Sequence, residues 1–255
     1  MEKTLKEIVS ILSSHRESYS FHLYSERGSD WTTPLQHPLF LDPTKHYEIA
    51  LISLETFYSI PNIRDDNNVF VYSTDKGNSF YFLIIPVGSY ELGQINDVIS
   101  NDVGTLIEIK PNPATLHSII KISDANVQVD MSRSTLRTVL GFNATKPDGK
   151  PNILEMGSVE SENTVNILDI SSILVSCDLT GNSYLNGDLS AVLYSFFPGV
   201  GVGQKIIQRP SQPLYLPITK RGSINRIRLW ITNQIGRLID FRDENITVRL
   251  HIRSI

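Results

Sequence analysis

From Phe21 onward, apolar side chains recur at every second position through most of this chain. The runs "FHLYS" (21–25), "HYEIALISLETFYSI" (46–60), "NVFVYS" (68–73) and "SFYFLIIPV" (79–87) are rich in Ile, Leu, Phe, Tyr and Val. A period of two puts alternate side chains on opposite faces, which is what a strand buried on one face requires and an amphipathic helix does not. Between the runs lie "PNIRDDNN" and "TDKGN", whose Asn, Asp, Gly and Pro favour turns. The pattern resumes in "TLIEIKPNP", "HSIIKIS", "NVQVDM", "TVNILDISSILVSCDL", "LSAVLYSFFP", "PLYLPI" and the final stretch from Ile224 to Ile255. About ten to twelve strands against three short helices predict an all-β fold, a single jelly roll or β-sandwich of two antiparallel sheets. No fixed-period repeat is present, which argues against propellers and solenoids.

The helical exceptions are brief. Leu5, Ile8, Val9 and Leu12 form one stripe on a charged segment, so residues 1–15 read as an N-terminal amphipathic helix or arm. In "YELGQINDVISND" Leu92, Ile95 and Ile99 align, and in "SRSTLRTVLGF" Ser132 or Ser134 could cap a helix with Leu136, Val139 and Leu140 on its face and Gly141 as its stop. Residues 146–163, "KPDGKPNILEMGSVESEN", are polar and turn-rich and predict a long surface loop. Strands resume immediately afterwards, so 16–255 reads as one jelly-roll domain.

The apolar share of 40% and charged share of 20% belong to a chain that folds. A net charge of −4 supplies no general attraction for DNA, RNA or anionic lipid, so no specific nucleic acid is expected as a partner. Cys177 is the only cysteine, which excludes an intrachain disulfide and fits a protein made in the reducing interior of a cell. The charged N-terminus is unlike a secretory signal, and no run approaches the length of a membrane span.

Candidate chemistry is sparse. The histidines His15, His22, His37, His46, His117 and His251 form no metal-binding spacing. No G-x-S-x-G elbow occurs, and Cys177 in "ILVSCDL" reads as a packed thiol. Gly199, Gly201 and Gly203 in "FFPGVGVGQKII" resemble a phosphate loop only superficially, because "II" follows Lys205 where Ser or Thr would be needed. The pairs Asp65/Asp66 and Asp243/Glu244 are the possible acid and base of a glycosidase-like module, but each sits in turn-like sequence. The aromatics Tyr47, Phe57, Tyr58, Phe70, Tyr72, Phe80, Tyr81, Phe82 and Tyr90 could stack on carbohydrate, or pack in the core as strand aromatics do. No catalytic, cofactor or metal residue is assigned.

In the final stretch, Ile227, Leu229 and Ile231 with Ile246, Val248, Leu250 and Ile252 form an apolar side. Arg226, Arg228, Trp230 and Thr232 with Thr247, Arg249, His251 and Arg253 form a basic one. Trp230 among arginines predicts partial cover by a loop, the N-terminal helix or a neighbouring subunit. Charge reversal at Arg226, Arg228 and Arg249 is expected to disturb assembly more than folding.

Read in order, several motifs carry a resemblance. They are Tyr47 to Leu51, Asn62 and Ile63, Pro86, Gly88 and Tyr90, Ile95 and Asn96, Leu140 to Phe142, and Gly236, Ile239 and Phe241. The chain resembles the minor capsid (penton) proteins of Polinton, or Maverick, elements and adintoviruses over roughly residues 41–252. The segment "FYSIPNI" lacks the Trp common there, and Asn233 stands where the family's last hairpin opens with Asp. The resemblance implies a structural, non-enzymatic subunit without cofactors. It would form a homopentamer at the five-fold vertices of an icosahedral virion, beside a double-jelly-roll major capsid protein. A β-sandwich carbohydrate-binding or glycosidase-like module is the alternative.

Overall fold

The computed structural model describes residues 17–167 and 170–255. The helix expected over 1–15 lies outside the described residues. The fold is all-β with antiparallel pairing throughout, and its contacts gather in two compact units, Ile60–Asp169 and the remainder of the chain.

The chain opens with β1 (Ser18–Ser25), β2 (Asp30–Phe40) and β3 (Tyr47–Phe57). The second unit follows, with β4 (Val69–Ser73), β5 (Tyr81–Ile84), α1 (Leu92–Val103), β6 (Ile107–Asn112), β7 (His117–Ile122), β8 (Gln128–Asp130), α2 (Arg137–Leu140), β9 (Ile153–Leu154) and β10 (Gly157–Glu160). The first unit is then completed by β11 (Ile173–Cys177), β12 (Ser183–Leu185), β13 (Asp188–Ser190), β14 (Val192–Phe196), β15 (Lys205–Gln208), β16 (Leu216–Pro217), β17 (Ser223–Asn233) and β18 (Ile246–Ser254).

In the first unit one sheet has the order β1-β18-β3-β15, with β16 also on β3, and the other β14-β11-β17-β2. Consecutive long strands therefore fall mostly in different sheets, and the first and last strands are neighbours. This is the interleaving of a jelly roll, a sandwich of two sheets wound from paired Greek keys. Its core is made by the inward positions of both sheets: Ile227, Leu229 and Ile231 on one, Ile246, Val248, Leu250 and Ile252 on the other, all fully buried. The period-two reading of those positions holds, but the terminal strands do not share a sheet. Residues 234–245 carry the chain across, turning on Asn233, whose Oδ1 accepts the N–H groups of Ile235 and Arg237 at 3.1 and 3.0 Å. Ile239 and Phe241 are buried beneath the crossing.

In the second unit, sheets β10-β7-β6 and β5-β4-β8-β9 surround a core of Phe70, Ile85, Ile107, Ile120, Met131 and Leu140. α1 adds the expected face, Leu92, Ile95 and Ile99, together with Val103. Gln94 Oε1 accepts the Glu91 N–H at 2.9 Å, half of a capping box. The second helix is a single turn. Ser134 does not cap it; its hydroxyl accepts the Val71 N–H and donates to Asp130 O, tying the segment to β4. Gly141 does stop it, in the left-handed region at φ 83. Residues 146–163 are not wholly loop, since Ile153 and Leu154 pair with β8 and 157–160 pair with β7. Few apolar residues suffice there because backbone pairing, not burial, recruits a short edge strand.

Candidate interaction surfaces

The residues singled out for chemistry do not assemble into a reactive centre among the described residues. Among the described residues no group of three or more His, Cys, Asp or Glu could hold a metal ion. Cys177 is fully buried, and desolvation pushes its thiol up to about 12, which leaves it protonated and a poor nucleophile. The glycine loop folds on itself, Gly201 N–H donating to Gln204 Oε1 at 3.2 Å, and leads into β15 where a phosphate loop would open a helix. The acidic pairs fall in separate units, each on a turn: Asp66 takes the Arg64 guanidinium at 3.5 Å, and Asp243 adopts φ 60. Of the aromatics, Tyr47, Tyr58, Phe70 and Tyr72 are buried. Tyr81 stacks on Tyr72 with centroids 5.3 Å apart, and the Arg133 guanidinium lies 4.6 Å from the Phe80 ring centre.

The basic face separates into two surfaces, because β17 and β18 occupy different sheets and each turns its polar side outward. On the β17 sheet, Arg228 grips Asp30 of β2 through two bonds, Nε to Oδ1 at 2.9 Å and Nη2 to Oδ2 at 2.6 Å, and lies 5.1 Å from the Trp230 ring centre. The guanidinium holds Asp30 below the usual carboxylate range. Arg228 N–H also donates to Asp178, which receives Lys220 Nζ at 2.6 Å. Two cations of this surface are thus neutralised within the chain.

On the β18 sheet the strand pairing sets up rows. One row joins Ser18, Arg253 and Glu48, with Arg253 donating two bonds to Glu48 Oε2 at 3.2 and 3.1 Å. The next joins Ser20, His251 and Ala50. Tyr215, from the proline-rich segment before β16, lies over these two rows. Its hydroxyl shares a hydrogen bond with His251 Nδ1 at 2.7 Å, and Arg253 sits 3.5 Å from its ring centre. Ala50 is the small residue beside His251 in its row. Ser18 Oγ engages the other imidazole nitrogen at 2.7 Å. Burial first, then Arg253 and Arg249, lower the His251 pKa below its ordinary value. The cover foreseen over the basic side is in this half supplied by the chain's own loop.

Below these rows Glu17 is a hub. Its carboxylate receives Lys45 Nζ at 2.6 Å and the hydroxyls of Tyr47 and Tyr19, and is held low chiefly by Lys45. Burial and this carboxylate push Tyr47 up to about 12. Neither Tyr215 nor Glu17 was identifiable from periodicity, since each acts through a partner distant in sequence. A lone Tyr in "RPSQPLYLP" was the one available signal.

Several of the residues behind the family resemblance fasten loops. Asn62 clamps Tyr90, donating Nδ2–H to its carbonyl at 2.7 Å and accepting its N–H at 2.8 Å. Gly88 pairs with Ile63, and Asn96 Oδ1 accepts the Ile109 N–H at 2.7 Å.

These features define an antiparallel jelly-roll protein with charged outer sheet faces and no assembled reactive centre among the described residues. No protein-family model and no curated protein matches the chain. In fold it is similar to the mavirus penton protein, with a TM-score of 0.50, 12% identity, and coverage of 94% of this chain and 100% of that one. A likeness to the D2–D3 domains of the flagellar cap protein FliD from Escherichia coli has a TM-score of 0.20 at 10% identity, covering 85% of this chain and 100% of that one, and carries no argument.

Proposed function

We propose that this chain is a structural minor capsid protein of the penton type, a homopentamer at the five-fold vertices of an icosahedral virion. The observation that carries the reading is the similarity in fold to the mavirus penton protein over 94% of the chain. The motif order that resembles Polinton and adintovirus pentons adds to it, and lineage within that group is part of the proposal. In this reading residues 16–255 are the capsid domain, with Ile60–Asp169 inserted between β3 and β11, and residues 1–15 are an arm. The partners are other copies of the chain and a double-jelly-roll major capsid protein. A five-fold ring needs two different flanks on each subunit, closed by rotation. The jelly roll offers unlike edges, β1 and β15 on one sheet and β14 and β2 on the other.

No enzymatic role is assigned, and the carbohydrate-module alternative has no observation in its favour, with its acidic pairs on turns of separate units. Size-exclusion chromatography with light scattering tests the proposal. A pentamer is expected, alone or on addition of the major capsid protein; a stable dimer under all conditions that ignores that protein would overturn it.

A further inference from the structure

The half of the β18 sheet not covered by Tyr215 is a different surface. One row there joins Tyr24, Thr247, Glu55 and Ile207, and the row beside it joins His22, Arg249 and Ser53. Tyr24 is 66% exposed and Ile207 49% exposed, although both project from regular strands where a polar residue would be the ordinary choice. The cations around them are mostly satisfied: Lys205 and Arg209 share Glu55 at 2.6 and 3.0 Å, and Arg253 has Glu48. Arg249 differs. Its Nε reaches Ser20 Oγ at 3.2 Å, and among the described residues no carboxylate pairs with it.

An exposed arginine beside an exposed tyrosine is the composition enriched at the residues that dominate binding energy in protein interfaces. Charge points to what meets it. Ile60–Asp169 holds 14 Asp and Glu against 8 Lys and Arg, whereas the rest of the chain holds 13 against 15. Each chain thus carries an acidic unit and a jelly roll whose surface cation Arg249 has no carboxylate partner among the described residues. Opposite patches on one molecule favour a heterologous contact, the kind that closes rings. We infer that Tyr24, His22 and Arg249 form a docking surface for a second copy of this chain, with Arg249 receiving a carboxylate from that copy's Ile60–Asp169 unit. This rests on the self-assembly proposed above and names the surface that would serve it.

The test uses the full chain. Sedimentation velocity compares wild type with Arg249→Glu and Tyr24→Ala, each expected to weaken self-association roughly thirtyfold while the melting temperature stays unchanged. Arg249→Lys should keep assembly. Carbodiimide treatment of that variant, mixed with isotopically labelled chains, should then join the introduced amine to a carboxylate within 60–169 of another copy. Should wild type and both weakened variants assemble equally, or cross-links between copies fall outside 60–169, the inference fails and the penton reading stands. Absence of assembly by wild type, alone and with the major capsid protein, defeats both. If Arg249→Glu lowers the melting temperature, Tyr24→Ala and the cross-link decide.

Discussion

The phenol of Tyr215 is hydrogen-bonded to Nδ1 of His251, 2.7 Å away, and its ring is the seat of the Arg253 guanidinium. One side chain from an irregular segment thereby covers two rows of a regular sheet. Removing the hydroxyl should cost about 1 kcal/mol, the net worth of a typical hydrogen bond. Removing the ring should cost about 1 kcal/mol more, through the lost cation–π contact. Chemical denaturation of Tyr215→Phe and Tyr215→Ala checks both, with the alanine variant expected to be the less stable.

Burial of His251, with Arg253 and Arg249 beside it, makes stability depend on pH just below neutrality. His251 faces Tyr215 and Ser18 and lies between Arg249 and Arg253, and its folded pKa is below the ordinary 6.5. Between those two values the unfolded chain binds the extra proton and the folded chain does not. The contribution is therefore complete above about 6.5 and falls as pH drops toward the folded value. Melting temperature measured between pH 8 and 5 should show the decline, and His251→Gln should flatten that part of the profile.

Glu17 governs a second, more acidic window. Lys45, then Tyr47, hold its carboxyl below 4.5, so its contribution is present above 4.5 and lost as pH falls through the folded value. Glu17→Gln keeps the shape, forfeits the charge that Lys45 meets, and should be less stable at pH 7 by about 1 kcal/mol or less, as a partly exposed pair allows. At pH 2 the variant and wild type should converge. A difference that persists at pH 2 would mean that shape, not charge, is what Glu17 provides.

Gly141 ends the single-turn helix at φ 83, and a Cβ there would overlap the carbonyl oxygen of Asn163. The Asn163 N–H donates to Gly141 O at 2.9 Å, so the two backbones cannot separate without loss. Gly141→Ala should destabilise by about 2 kcal/mol or more, combining left-handed strain with that overlap. Thermal unfolding measures it, and Gly93→Ala, at an exposed helical position with open space, is the matched control expected to be neutral or slightly stabilising.

Local pattern carried the reading where the deciding forces are local. Leu92, Ile95 and Ile99 declared a helix face, and the alternation of 227–231 and 246–252 declared which side chains are buried. What alternation could not declare is the sheet in which each strand lies, since an inward isoleucine looks the same from either side of a sandwich. From alternation alone β17 and β18 present one basic surface, whereas a crossing that begins at Asn233 separates them. The neutralising partners were equally hidden: Asp30 and Arg228 are 198 residues apart, and only the fold makes them neighbours.

That pairing alters what charge reversal should do at each arginine. Arg228→Glu would set a carboxylate against Asp30 across two strands, removing a two-point ion pair and adding repulsion at the edge of the sheet. The expected result is a lower melting temperature, through loss of the pair and the added repulsion, whether or not the chain assembles. Asp30→Arg combined with Arg228→Glu restores opposite charges and should recover part of that loss, and a double-mutant cycle with thermal unfolding isolates the coupling. Arg249, with no carboxylate paired to it among the described residues, should tolerate reversal as a monomer better than Arg228 does. If Arg228→Glu proves as stable as wild type, the ion pair with Asp30 contributes nothing to the fold, and Arg228 becomes as eligible as Arg249 to meet a neighbour.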